Sequence, residues 1–220
     1  TSFASSLLTV LGLSRVRSLK SEIIRGHSVK PHSRPYMAFV ISKTNTSTSC
    51  GGFLVREDFV MTAAHCQGKE MFVVLGAHNI RADEHSQICF SISFSINQLE
   101  QNVTLNENIK PIPLPKIITD LPEGTNCLAS GWGIISEEGT QIPDTLQEAN
   151  IQVVERSCCR KHLCVCMQGD SGGPLVCDGM AYGITSFGIE PCGFYGFPSV
   201  YTRISEYLSW VNTVMQKERH

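Results

Sequence analysis

The 220-residue sequence has no apolar run near the ~18 residues that cross a bilayer, so no membrane-spanning helix is expected. It also lacks an excess of charge. Lys and Arg number 18 against 20 Asp and Glu, and a net charge of −2 does not suit a nucleic-acid binder. Only 17% of residues are charged while 42% are hydrophobic, which excludes a disordered chain and predicts a sizeable core. No repeat, linker or low-complexity tract divides it. Cysteine, by contrast, is abundant. Ten cysteines are many for a cytosolic enzyme and point to disulfides and an oxidising compartment. The sequons Asn45-Thr46-Ser47 and Asn102-Val103-Thr104 agree with that route.

Near the N-terminus, an apolar stretch from Leu7 to Leu13 precedes Arg15, Arg17 and Lys20. A signal peptide carries its positive charge ahead of the apolar region, and here the order is reversed. Residues 1–22 are read as a leader or pro-segment outside the folded domain, and residues 23–220 as that domain. From Ile23 onward, short β-rich runs alternate with turn residues: Met37–Ile41, Gly52–Val55, Phe59–Met61, Met71–Leu75 and Ile151–Val154. This spacing predicts an all-β sandwich or barrel. The C-terminus differs. Ile204, Tyr207, Leu208, Val211 and Met215 recur at three- and four-residue steps, predicting an amphipathic helix over residues 204–216.

Two stretches carry chemistry. In Gly169-Asp-Ser-Gly-Gly-Pro174, glycines flank Ser171 and let the backbone aim the amides of Gly169 and Ser171 at one oxygen. A serine hydroxyl needs a base to become a useful nucleophile. Thr62-Ala-Ala-His-Cys66 supplies a histidine at the end of an apolar strand, although His65 taken alone is more often a satisfied structural histidine.

Together these residues resemble the chymotrypsin-like serine proteases over residues 23–216. Ile23-Ile-Arg-Gly26, Cys50-Gly-Gly-Phe53, Ala129-Ser-Gly-Trp-Gly133 and Ser186-Phe-Gly188 follow the family's order. Lys30–Tyr36, Leu75–Ile80, Thr145–Glu148 and Glu22 look like the granzymes and mast-cell proteases of secretory granules. The resemblance implies two antiparallel six-stranded-type β-barrels, the first incomplete, with a C-terminal helix. It implies Ser171 as nucleophile, His65 as general base, and Gly169 and Ser171 as oxyanion donors. Asp170 would pair with the α-amino group of Ile23 once the chain is cut after Glu22. Ser186, Phe187 and Gly188 would bind substrate as an added strand.

It further implies the disulfides Cys50–Cys66 and Cys127–Cys177. Cys164 would pair with Cys158 or Cys159, and Cys166 with Cys192. A zinc site at Cys158, Cys159, His162, Cys164 and Cys166 is the alternative, with ligand types that suit the metal but tight spacing; the reading adopted has no metal and no cofactor. Expected partners are peptide and protein substrates and serpin-type inhibitors, for a monomer that is secreted or stored in granules. The net charge is unlike that of the strongly basic granule proteases.

Two departures stand out. The family's aspartate, in an apolar "DIxLL" strand, is missing, and an ungapped match puts Ser93 there. The only aspartates in the sequence between His65 and Gly169 are Asp83, Asp120 and Asp144, none in such a strand. The same fold without turnover, a pseudoprotease or binding protein, is therefore the alternative reading, and a gene-model or splicing deletion stands beside an evolved loss. The second departure is a shortened segment between Cys158 and Gly169. It puts Val165 at the base of the specificity pocket beside Cys166, with the small Ser199 on another wall. No acid is there, so the expected preference is for a bulky apolar side chain.

Overall fold

The computed structural model describes residues 16–17, 26–92, 98–134, 142–153, 171–187 and 200–217. It is mostly β, with two antiparallel sheets and one C-terminal α-helix. The first sheet holds β3 (Met37–Lys43), β4 (Ser47–Arg56), β5 (Phe59–Met61), β6 (Glu70–Leu75) and β7 (Ile88–Ser91), in the order β5-β4-β3-β6-β7. The second holds β1 (Val16–Arg17), β2 (His27–Ser28), β8 (Asn126–Gly131), β9 (Gln147–Val153), β10 (Pro174–Cys177), β11 (Met180–Phe187) and β12 (Val200–Arg203). Its order is β1-β9-β8-β10-β11-β12, with β2 also on β9.

Alternation explains these strands. Met71, Val73 and Leu75 of β6 are buried while Phe72 and Val74 between them are only half-buried. They pack with Ala38, Val40 and Leu54 into the first core. Ala149, Ile151 and Val153 of β9 do the same against Cys127, Ala129 and Leu175 in the second. Among the described residues the first sheet has five strands, and single-residue bridges tie its edges to the chain that follows, Phe59 with Gln98 and Ile92 with Leu99. Val16–Arg17, within the stretch expected to lie outside the domain, pairs with Gln152 and Val153.

The C-terminal periodicity corresponds to a 3-10 turn, Ile204–Tyr207, followed by α1 (Leu208–Lys217). The helix reaches across to the first sheet, where Arg56 donates to the Met215 carbonyl and also pairs with Asp58. Burial pushes the Asp58 carboxyl up, but hydrogen bonds from Arg56 and Gln98 more than reverse this and leave it below its ordinary range. No helix among the described residues is long and apolar enough to cross a membrane.

Between the sheets runs a seam built on His78. Its carbonyl accepts both the indole N–H of Trp132 (3.0 Å) and the amide of Leu146 (2.9 Å). Val29, Met37, Ala77, Trp132 and Leu146 form the apolar cluster around it. The Glu84 carboxylate accepts the amides of His78 (2.7 Å) and Asn79 (3.1 Å). Burial raises the Glu84 carboxyl, and these hydrogen bonds outweigh it, so the group sits below its usual value. Burial holds the His78 imidazole below its ordinary value of 6.5, with Glu84 opposing and His32 adding to the shift.

These shifts fix the direction of acid sensitivity. A histidine with a lowered folded pKa resists protonation that the unfolded chain accepts, so its contribution is lost as pH falls below about 6.5. Asp58 and Glu84, also lowered, lose theirs further down, as pH falls through the carboxylate range. Thermal melts from pH 8 to pH 3 are expected to show a decline in two stages. In His78→Gln the first stage should flatten while the second remains.

Candidate active site

His65 lies in a single 3-10 turn, Ala64–Cys66, that ends the run from β5. The turn is pinned by the Cys50–Cys66 disulfide, whose Cα atoms are 6.2 Å apart, so His65 is held beside β4. One ring nitrogen of His65 lies within 4.8 Å of both sulfurs. Three such residues together would suggest a metal site, but sulfurs joined to each other offer no thiolate to an ion. The second expected disulfide, Cys127–Cys177, is also present.

Ser171 approaches the same disulfide from the other sheet. Its carbonyl oxygen is 3.5 Å from Cys66 Sγ and accepts the amide of Gly51 at 2.9 Å. The Gly51 carbonyl in turn accepts the Thr62 hydroxyl at 2.7 Å. Downstream, the Gly172 amide donates to Thr185 (2.7 Å), and the Thr185 amide to Gly173 (2.8 Å). The serine turn is thus held by β11 on one side and by β4 on the other.

Glycine at 172 is required here. Its φ is +92°, and a Cβ would fall 2.2 Å from Thr62 Oγ1 and 2.3 Å from the Gly51 carbonyl oxygen. Gly172, read from sequence as a means to turn, therefore also permits contact between the sheets.

Ser186 follows on β11 at a bulge. The pairing with β12 skips from Thr185–Tyr201 to Phe187–Val200, a device that re-aims side chains near functional sites. Ser186 and His65 both line a cleft of about 370 Å³. Met61 and Thr62 line it too, as do Tyr207, Trp210 and Val214 of the C-terminal segment. Sequence periodicity did not reveal this cleft. It identified the apolar face of α1 but not that Trp210 would remain 60% exposed.

Among the described residues, His65 has neither a hydrogen-bond nor an ion-pair partner, and three of the aspartates are engaged with arginines. Asp144 pairs with Arg81 at 2.8 Å, Asp58 with Arg56, and Asp120 with Arg203. Asp83 and Glu100 are exposed. The remaining expected site residues, Ile23, Ser93, Val165, Cys166, Gly169, Asp170, Gly188 and Ser199, lie outside the described residues, as do Cys158, Cys159, His162, Cys164 and Cys192. Phe187 is described only by its place at the end of β11.

Comparison with known proteins bears on this arrangement. The family model described as "Trypsin" matches residues 23–211. Cathepsin G of Homo sapiens is 40% identical over 230 aligned positions, covering 89% of this chain and 88% of cathepsin G. Duodenase-1 of Bos taurus is 37% identical over 247 positions, 96% of each chain. Both alignments are longer than the 220 residues present, so these relatives carry stretches with no counterpart here. Among solved structures, one described as "Structure of GrC" superposes with a TM-score of 0.77 at 32% identity, covering 87% of this chain and 99% of that one. Neuropsin, a serine protease expressed in the limbic system of mouse brain, gives 0.75 at 30% identity with the same coverage.

The inter-sheet contact can be tested at glycine. Gly172→Ala must move Thr62 or Gly51 as well as strain the backbone, so a loss of about 3 kcal/mol or more is expected in denaturant unfolding. Gly124, at φ +82° with nothing within 4 Å of a built Cβ, provides the control. Gly124→Ala should cost only the conformational strain, about 1–2 kcal/mol. Equal losses at the two positions would show that the contact at 172 carries no weight.

Proposed function

Since the chain belongs to the trypsin family of serine proteases, we propose that it is a serine endopeptidase whose site is built on Ser171 and His65. The observation that carries this reading is their common anchor. The serine backbone and the histidine ring both lie against the Cys50–Cys66 disulfide although they come from different sheets.

In the proposed reaction, Ser171 Oγ attacks the scissile carbonyl and its proton passes to His65. The oxyanion is met by the amides of Gly169 and Ser171. Collapse of the intermediate breaks the C–N bond, and His65 returns the proton to the leaving amine. Water then enters by the same steps and releases the acyl group. Ser186, Phe187 and Gly188 hold the substrate backbone, and the bulge at Ser186 supports that role. Val165, Cys166 and Ser199 form a pocket for a bulky apolar side chain. Cleavage after Glu22 frees the Ile23 amine to pair with Asp170. Cathepsin G and the granzymes among the relatives support storage in secretory granules or secretion, and the exposed Asn45 and Asn102 are accessible to glycosylation on that route.

The unpartnered His65 favours a second reading, a pseudoprotease of the same fold. Without a carboxylate, the imidazole lacks the partner that fixes its tautomer and stabilises its charged form. In a family member, replacing that carboxylate by an amide lowers turnover about 10⁴-fold.

Protein beginning at Ile23 is expected to hydrolyse apolar esters about 10³–10⁴-fold faster than water alone, and to react slowly with a fluorophosphonate probe. Ser171→Ala should abolish probe labelling, and His65→Ala should slow it below the rate of the parent chain. A protein that neither hydrolyses esters nor takes the label would establish the pseudoprotease reading. Turnover equal to an intact relative would show that another acid reaches His65.

A further inference from the structure

Strand β9 has neighbours on both edges. One edge pairs with β8, and the other meets two short strands of the N-terminal stretch, β1 and β2, both antiparallel to it. The backbone calls for such a partner. The Val153 amide donates to Thr125 (2.9 Å) and its carbonyl accepts from Gly124 (2.8 Å), so both groups face the β8 side. Alternation along an antiparallel ladder then turns the amide and carbonyl of Gln152 to the other edge. Arg17 lies there, opposite Gln152.

The two short strands do not follow one another without a break. Extending the β1 register would bring Ser21 opposite Glu148, but His27 occupies that place. Six residues more than the edge can pair therefore separate Arg17 from His27, and the stretch between them includes Glu22 and Ile23. Its two ends are held unequally. Downstream, Glu148 pairs with His27 (3.3 Å) and Arg34 (2.6 Å), and Ser28 donates to Thr145 (3.2 Å). Upstream, β1 contributes only two residue pairs. Such short pairing holds a separate peptide weakly, but a short tether supplies an effective concentration on the order of millimolar.

We propose that the stretch ahead of Ile23 is a built-in strand ligand of the β9 edge, kept there by its tether and released when the chain is cut after Glu22. The position of the cut rests on the protease reading above; the pairing with β9 does not. Release opens the Gln152 amide and carbonyl on a strand whose alternate residues form core, the kind of edge that accepts an added strand. Cutting thereby changes what β9 can bind as well as freeing the Ile23 amine.

The test follows amide hydrogen exchange by NMR in the full 220-residue chain. There the Gln152 amide is expected to exchange at least tenfold more slowly than in Arg17→Pro, which removes the donor facing Gln152. Val16→Pro should keep that protection, since the Val16 amide points away from β9 and an edge strand tolerates proline there. Arg17→Ala should match the parent, because the backbone carries the pairing. The Val153 amide, bonded to Thr125, reports on the fold and should stay protected in every variant.

Ser18→Asp, Leu19→Asp, Lys20→Asp, Ser21→Asp and Glu22→Lys together create an enteropeptidase site ahead of Ile23. After cutting, gel filtration should remove the leader, and Gln152 exchange should rise at least tenfold over the uncut variant while Val153 is unchanged. A peptide of residues 12–22, at millimolar concentration, should restore protection, and the same peptide with Arg17→Pro should not.

Equal Gln152 exchange in the parent chain and Arg17→Pro, or before and after leader removal, overturns the proposal. So does a leader that elutes with the cut protein. An ester assay on the same cut sample separates the two readings. Hydrolysis with Gln152 still protected keeps the protease reading and discards the strand ligand; lost protection without hydrolysis does the reverse.

Discussion

The hydrogen bond from Gly51 to the Ser171 carbonyl is the contact on which the site depends. It joins β4 to the turn before β10, so the two sheets share an atom-to-atom constraint beside Ser171 and His65. Everything near it is arranged to let backbone approach backbone. Gly172 carries no Cβ because Thr62 and Gly51 fill that space, Thr62 ties the Gly51 carbonyl back, and the Cys50–Cys66 bridge holds the histidine turn against the same strand. A disulfide closing this short loop stabilises mainly by restricting the unfolded chain, by about 3 kcal/mol. It also fixes where His65 can be.

A second constraint keeps the sheets in register at a distance from the site. The His78 carbonyl binds Trp132 and Leu146, and Asn79 pairs with Thr145, so the stretch after β6 is sewn to the stretch before β9. These are the Leu75–Ile80 and Thr145–Glu148 segments that suggested the granule proteases. Their distinctiveness has a mechanical basis, since both form the seam that sets one sheet against the other.

Local pattern and long-range contact were unequally legible. The inward alternation of β6 and the limits of β5 could be read from residue order, because a strand's burial repeats every two residues. The start of β4 could not. It begins at Ser47 with exposed polar residues, whose pairing with Lys43 comes from the hairpin and not from any apolar pattern. The approach of Ser171 to Cys66 spans 105 residues, and only family motifs suggested it. The exposed face of α1 was hidden for a different reason. Helical period tells which side is apolar, whereas whether that side is covered depends on chain far away in sequence.

The connector between the sheets carries one more consequence. Lys110 and Ile112 bond to Pro35 and Leu54 of the first half, and Pro113 accepts the amide of Ala181 in the second. Past these stitches, Ile117 and Ile118 stand 70% exposed. Cys50–Cys66 and Cys127–Cys177 each close on one side of that point. Neither of these two crosslinks would therefore bridge a backbone cut there. The halves would remain together as a fragment pair, through the seam, the Gly51 contact and the α1 helix lying on the first sheet. The molecule is in this sense two pieces joined by a strap, and its unity after nicking would rest on packing.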